Sequence, residues 1–234
     1  MTPKTVPEVD KLILEGKTIS FLGDSITEGV GVVDIPNNRY DHRLKSMTGL
    51  AKVYNHGIGG SRLAHQRHAS VNPKFDLCFC GRVHLLEPTA DIIVVYGGVN
   101  DYLHGDAPIG QVGDTTPDTF CGAVDYLMRF LKENYSGQSV FIAPAKCYLE
   151  VLYTEVSTRP SKLPDALPLR GYVEILAQTA NRYSIPFLNL FKDLPYDPAA
   201  HPEQMMQLTK EGLHFNDEGH KLLAETLCSF LLSL

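Results

Sequence analysis

Three short turns and one late histidine carry residue types that perform acyl chemistry when they meet. Gly23-Asp24-Ser25 offers a hydroxyl nucleophile. Asn55-His56-Gly57-Ile58-Gly59-Gly60 offers a glycine-rich backbone, and Gly97-Gly98-Val99-Asn100-Asp101 offers a side-chain amide. A serine hydroxyl is inert until a base takes its proton. Backbone N–H groups and an amide aimed at a developing oxyanion typically contribute about 10²–10³ each in rate. Of nine histidines, His214 is the best placed as base, in Glu211-Gly212-Leu213-His214 just ahead of a helical pattern. Glu211 can orient its imidazole and stabilise the cation. Taken singly, each feature also reads as a strand-ending turn or a surface histidine. Their force is joint and lies in their order along the chain.

Alternating elements must position these residues. Five apolar runs read as strands: Thr18–Leu22, Ala51–Tyr54, Asp91–Tyr96, Ser139–Ala143 and Ile185–Leu190. The third, IIVVY, is near-continuous and β-branched, as in a parallel strand covered on both faces. Helical patterns lie between them. One starts at Thr116-Pro117-Asp118, a cap followed by Pro and an acid, and repeats at Phe120, Val124, Leu127 and Leu131. Another carries Val173, Leu176, Ala180 and Tyr183. A third starts near Asn216 and places Leu223, Leu227, Phe230 and Leu231 on one side, and a fourth runs from about Asn38 to Met47. This alternation predicts an α/β fold with a doubly wound, five-stranded parallel sheet and helices on both faces. With no repeat or linker, residues 1–234 read as one domain with an N-terminal extension over 1–16. Ligands bind at the carboxyl ends of strands in such sheets, where the three turns stand. Asp101–Thr115 and Pro144–Pro168 read as long loops, the usual place for lids.

These blocks resemble the SGNH (GDSL) hydrolases, named for Ser, Gly, Asn and His in four segments. The match is Gly23-Asp24-Ser25, Gly60 in Ile58-Gly59-Gly60, Gly98-Val99-Asn100-Asp101, and His214 in Gly212-Leu213-His214-Phe215-Asn216-Asp217-Glu218-Gly219-His220. It runs from about Thr18 to Leu234. The resemblance implies a flavodoxin-like three-layer α/β/α sandwich and serine-dependent ester hydrolysis. It implies that Ser25 attacks the acyl carbon, that Ser25 N–H, Gly60 N–H and Asn100 hold the oxyanion, and that His214 is base and then acid. The family pattern is Asp-x-x-His, and here it is Glu-x-x-His. The extra methylene requires backbone adjustment if Glu211 is to serve; otherwise the site is a Ser–His dyad.

Other residues are weaker candidates. Asp24 and Asp101 read as turn caps that hold the site rigid, and with Arg62 they are candidate contacts to a polar substrate. Arg39 and Tyr40 are candidates to line the pocket, His220 is expected to be solvated, and the Leu/Phe stripe beyond it reads as core. His65-x-x-His68, Cys78-x-Cys80 and His84 invite a metal reading. Cys-x-Cys lies outside the usual zinc pair spacing, so no metal and no cofactor are expected. Leu103, Ile109, Tyr148, Leu149 and Tyr153 allow a modest acyl pocket.

Composition narrows the classes. The 234 residues carry a net charge of −6, which argues against a nucleic-acid binder. Asp24 and Glu28 would repel phosphate at the first turn, against a nucleotide site. No apolar run approaches the ~20 residues of a membrane span. The first ten residues lack the apolar core of a signal peptide, and five scattered cysteines read as free thiols, so a cytoplasmic location is expected. The expected activity is hydrolysis of short-chain esters, acetyl groups on sugars in particular, with a small-molecule or sugar ester as partner. An acyltransferase or thioesterase using the same residues is the nearest alternative. A non-catalytic binding module is the alternative of another class. The oligomeric state is not legible.

Overall fold

The computed structural model describes residues 13–152, 162–164 and 166–234, with the side chains of 151 and 152 left aside. Five strands form one parallel sheet: β1 (Thr18–Gly23), β2 (Lys52–Gly57), β3 (Ile92–Tyr96), β4 (Gln138–Ala143) and β5 (Phe187–Asn189). Their spatial order is β2-β1-β3-β4-β5. The register pairs Gly23 at the end of β1 with Gly57 of β2 and Tyr96 of β3. The three turns read from the sequence therefore leave the sheet side by side. The strand order reverses between β1 and β3, where a crevice opens at the carboxyl edge.

The elements used below are α1 (Ser25–Glu28), α2 (Tyr40–Thr48), α3 (Val99–His104), α4 (Phe120–Asn134), α5 (Leu169–Arg182) and α6 (Asp217–Leu232). Alternate strand residues face opposite layers. Ile93, Val95 and Phe141 pack with Val124, Leu127, Tyr172 and Leu176 of α4 and α5. Ile92, Val94, Tyr96 and Val140 pack with Leu44 of α2 and Leu223, Leu227 and Leu231 of α6. These two cores make the three layers.

Two sequence expectations shift. Helix α4 is capped by Thr119, whose Oγ1 accepts from Gly122 N–H at 3.0 Å, and not by Thr116. The stretch from Asp101 is not loop at its start, because α3 continues to His104.

His220 is fully buried, contrary to the solvated position expected. Helix α6 turns it toward α2, where Nδ1 accepts the Tyr40 N–H at 3.2 Å and the ring stacks on Tyr40 at 5.8 Å. It thus satisfies one of the N–H groups that a helix start leaves unpaired. Burial pushes its pKa down to about 4, against 6.5. An unfolded chain takes up that proton first, so this contribution is complete above pH ~6.5 and declines as pH falls toward about 4. His220→Leu orphans the Tyr40 N–H and is expected to cost about 1–3 kcal/mol at pH 8. The gap from wild type should narrow as pH falls from 6.5 to 4. Denaturant midpoints of both proteins across that range check it; a gap that is absent or constant with pH contradicts it.

Candidate active site

Ser25 is the first residue of α1, immediately after β1 and 6% exposed. Asp24 caps this short helix through Oδ1, which accepts from Ile26 N–H at 3.0 Å. Ser25 Oγ lies 2.9 Å from His214 Nε2, within the reach a general base requires. His214 Nδ1 meets Glu211 Oε1, which also accepts the His214 backbone N–H at 3.3 Å. An ionised carboxylate only accepts. The imidazole therefore carries its hydrogen on Nδ1, and the Nε2 lone pair faces the hydroxyl. This order of groups can move the serine proton as Oγ attacks an electrophile.

The loop bearing His214 is held on three sides. Thr209 and Phe215 form an antiparallel bridge, and Lys210 N–H donates to His214 C=O at 3.0 Å. Gly212 donates to Thr209 Oγ1, while its C=O accepts Tyr148 N–H. Gly31, at φ +103°, lets the 29–33 loop approach. A Cβ there would stand 2.3 Å from Phe215 O and 3.3 Å from His214 Cβ. Thus Gly31, six residues beyond Ser25, leaves room for the segment that carries the base.

The turn after β2 reaches both neighbours. A Cβ on Gly59 would lie 3.6 Å from Ser25 Cβ, and Gly59 N–H donates to Glu28 Oε2 at 2.8 Å. Asn100 Nδ2 donates to Ser61 C=O at 3.0 Å. That bond uses one amide hydrogen and leaves the other for a ligand. Gly60 adopts φ +75° with the Phe75 ring where a side chain would be, 2.2 Å from an ideal Cβ. Only glycine fits that turn without strain. The structure thus brings Ser25, His214, Glu211, Gly60 and Asn100 to one edge.

A family model for the GDSL-like Lipase/Acylhydrolase family matches residues 21–222. The chain belongs to that family. No curated protein matches it. Among solved structures, this GDSL chain is 29% identical to a protein from Lactobacillus plantarum, with TM-score 0.76, over 94% of this chain and 98% of that one. It also superposes on the acetyl xylan esterase AlAXEase at 20% identity and TM-score 0.60, covering 91% of this chain and 98% of that one. A two-domain esterase (CEX) active on acetylated mannans, co-crystallised with mannopentaose, gives 20% identity and TM-score 0.60, with 95% and 50% covered. These last two likenesses show the fold alone.

The weaker candidates in this GDSL chain lie within the scaffold. Asp24, Asp101 and Arg62 are nearly fully buried, and each side chain is engaged by neighbouring groups of the chain. Asp101 accepts Leu63 N–H and Ala64 N–H at 2.9 and 3.2 Å, pinning the β2 turn to α3. Burial pushes the pKa of Asp101 up to about 6, and that of Asp24 up to about 7. Arg62 Nη2 pairs with Asp76 Oδ1 at 2.7 Å and donates to Ser70 Oγ at 2.6 Å. Tyr40 is fully buried, its hydroxyl 3.0 Å from Thr27 Oγ1, and Arg39 pairs with Asp41 at 2.7 Å.

Leu103, Ile109 and Leu149 pack, partly buried, on the core of α4 and α5, and Tyr148 on that of α2 and α6; Tyr153 lies outside the described residues. His65 and His68 pair with Asp118 and Asp106. Cys78 Sγ accepts from Gly81 N–H, and Cys80 Sγ donates to Ala123 C=O. Among the described residues no cluster of His, Cys, Asp or Glu is placed to hold a metal, the cysteines are unbridged, and no helix is long and apolar enough to cross a membrane.

Three residues of the site's frame escape the motifs. Arg82, buried, donates to His56 C=O, Gly23 C=O and Ser61 Oγ, tying the ends of β1 and β2 together. Glu28 holds Gly59 and pairs with Lys74 at 2.5 Å. His104 Nε2 lies 3.2 Å from Asn100 Oδ1, at the i+4 spacing that places both on one helix face.

Proposed function

We propose that the protein is a serine esterase that removes short acyl groups, acetyl groups on carbohydrates in particular, through an acyl-enzyme at Ser25. The 2.9 Å approach of Ser25 Oγ to His214 Nε2 is the observation that carries this reading. In the reaction, Nε2 takes the hydroxyl proton while Oγ bonds to the acyl carbon. The carbonyl electrons move to oxygen, where Ser25 N–H, Gly60 N–H and the free Asn100 hydrogen receive them. Collapse breaks the bond to the alcohol, which leaves with the proton from Nε2. Water then repeats the cycle and releases the acid. The AlAXEase and mannan-esterase likenesses support a sugar ester as substrate.

Hydrolysis of nitrophenyl esters from acetyl to octanoyl, alongside acetylated xylan and mannan oligosaccharides, tests the reading. Turnover should fall with chain length and extend to the acetylated sugars. Preference for octanoyl overturns the short-acyl assignment. Turnover of thioesters alone, or transfer to an added alcohol with little hydrolysis, moves the site to a thioesterase or transferase. No turnover of any of these acyl donors leaves a binding module.

Glu211 is half exposed, so solvent screens its charge. Glu211→Ala is nevertheless expected to lower kcat/KM roughly ten- to hundred-fold, because the imidazole loses its tautomer and its counter-charge. Near-wild-type turnover in this variant would leave a Ser–His dyad.

A further inference from the structure

Asn100 is anchored at both ends of its amide. Nδ2 donates to Ser61 C=O at 3.0 Å, and Oδ1 faces His104 Nε2 at 3.2 Å. On the other side of the imidazole, Arg62 Nη1 stands 3.1 Å from His104 Nδ1. A guanidinium donates and never accepts. Nδ1 must therefore hold the lone pair, and Nε2 must carry the hydrogen that Asn100 Oδ1 accepts. His104 and His214 thus use opposite tautomers, each set by the charged group at Nδ1.

The surroundings hold this arrangement in place. Burial and Arg62 push the His104 pKa down to about 4, which keeps the ring neutral around pH 7. Arg62 itself is fixed by Asp76 and Ser70. Three consecutive residues clamp the region: Lys74 pairs with Glu28, Phe75 packs on His104 at 5.3 Å and occupies the space beside Gly60, and Asp76 holds Arg62.

We propose that His104 is a positioning residue for the Asn100 amide, with Arg62 fixing the imidazole tautomer that the role requires. This rests on the esterase reading, in which the second Asn100 hydrogen meets the oxyanion. His104 touches no substrate. It holds the amide plane so that nitrogen, not oxygen, faces the developing charge. A flipped or rotated amide would oppose that charge with a lone pair.

The test compares His104→Leu, His104→Gln and wild type by steady-state kinetics on an acetyl ester, with ¹⁵N NMR of the wild-type imidazole. Gln keeps a donor for Asn100 and an acceptor for Arg62; Leu keeps neither. His104→Leu should lose about ten-fold or more in kcat with KM within about two-fold, because the donor acts on the transition state. His104→Gln should recover most of the rate. The neutral imidazole should show the hydrogen on Nε2. A folded Leu variant with wild-type kcat, a folded Gln variant no better than Leu, or a hydrogen on Nδ1 overturns the proposal. If the Leu variant does not fold, the Gln kinetics and the tautomer decide. If wild type hydrolyses no ester, the esterase reading fails by itself. The tautomer, together with displacement of the Asn100 side-chain amide resonances in His104→Leu, then judges the positioning role separately.

Discussion

Ser25→Ala is expected to lower kcat on an acetyl ester by about 10⁴-fold or more, with the protein still folded. The substitution removes one oxygen from a site whose backbone is held by other groups. Asp24 caps α1 through Ile26 N–H, and Arg82 ties Gly23 to His56. Nothing in that frame depends on Ser25 Oγ, whose hydrogen-bond partner is the His214 ring. Loss of rate would therefore report the loss of the nucleophile. The thermal midpoint should move by a few degrees at most, as for ~1 kcal/mol in a chain of this size. A fluorophosphonate gives an independent readout: wild type should gain one phosphonyl group, mapped to Ser25, and Ser25→Ala none. A variant that retains rate within ten-fold, or labelling elsewhere, would remove Ser25 from the chemistry.

The sheet and the four motif segments were legible for a physical reason. A strand covered on both faces must be apolar throughout, as Ile92–Tyr96 is, and turns at its carboxyl end need glycine and polar groups. Glu211 was legible because an acid three residues before a histidine can reach it across a single turn. What adjoins the motifs was harder to place. Asp24, Arg62 and Asp101 stand near reactive residues in sequence, yet their side chains bond to Ile26 N–H, Asp76 and the Leu63 and Ala64 N–H groups. Their work is to hold turns, which adjacency alone does not separate from contact with substrate. His220 looked like a first-turn surface residue because the sequence does not show that α2 crosses that face of α6. The start of α4 moved from Thr116 to Thr119 because both are good caps. In the structure Thr119 Oγ1 takes the Gly122 N–H, and the Thr116 carbonyl instead lies against Gly122, where a Cβ would stand 1.9 Å from its oxygen. His104 was hidden by reading Asp101–Thr115 as loop. Once α3 is known to extend to His104, its i+4 spacing from Asn100 becomes the signal.

Asn100→Ala should cost about 10²–10³ in kcat while KM stays within a few-fold. The argument turns on when its hydrogen bond matters. A ground-state carbonyl carries little charge and loses little when one donor is missing, whereas the tetrahedral oxyanion carries a full charge in a partly dry site. Asn100 is nearly fully buried, so water does not readily replace the lost donor. Asn100→Asp should be at least as damaging, although its shape is nearly the same. An ionised carboxylate can still accept from His104 Nε2, but it cannot donate to Ser61 C=O and places a negative charge beside the oxyanion. The two variants therefore separate size from hydrogen-bond polarity. The second-order rate of Ser25 phosphonylation should fall in step with kcat/KM, since that reaction also builds negative charge on an oxygen at the same place. Loss that appears in KM alone, or an Asp variant as active as wild type, would mean that the Asn100 amide orders the turn at Ser61 and contributes nothing to the transition state.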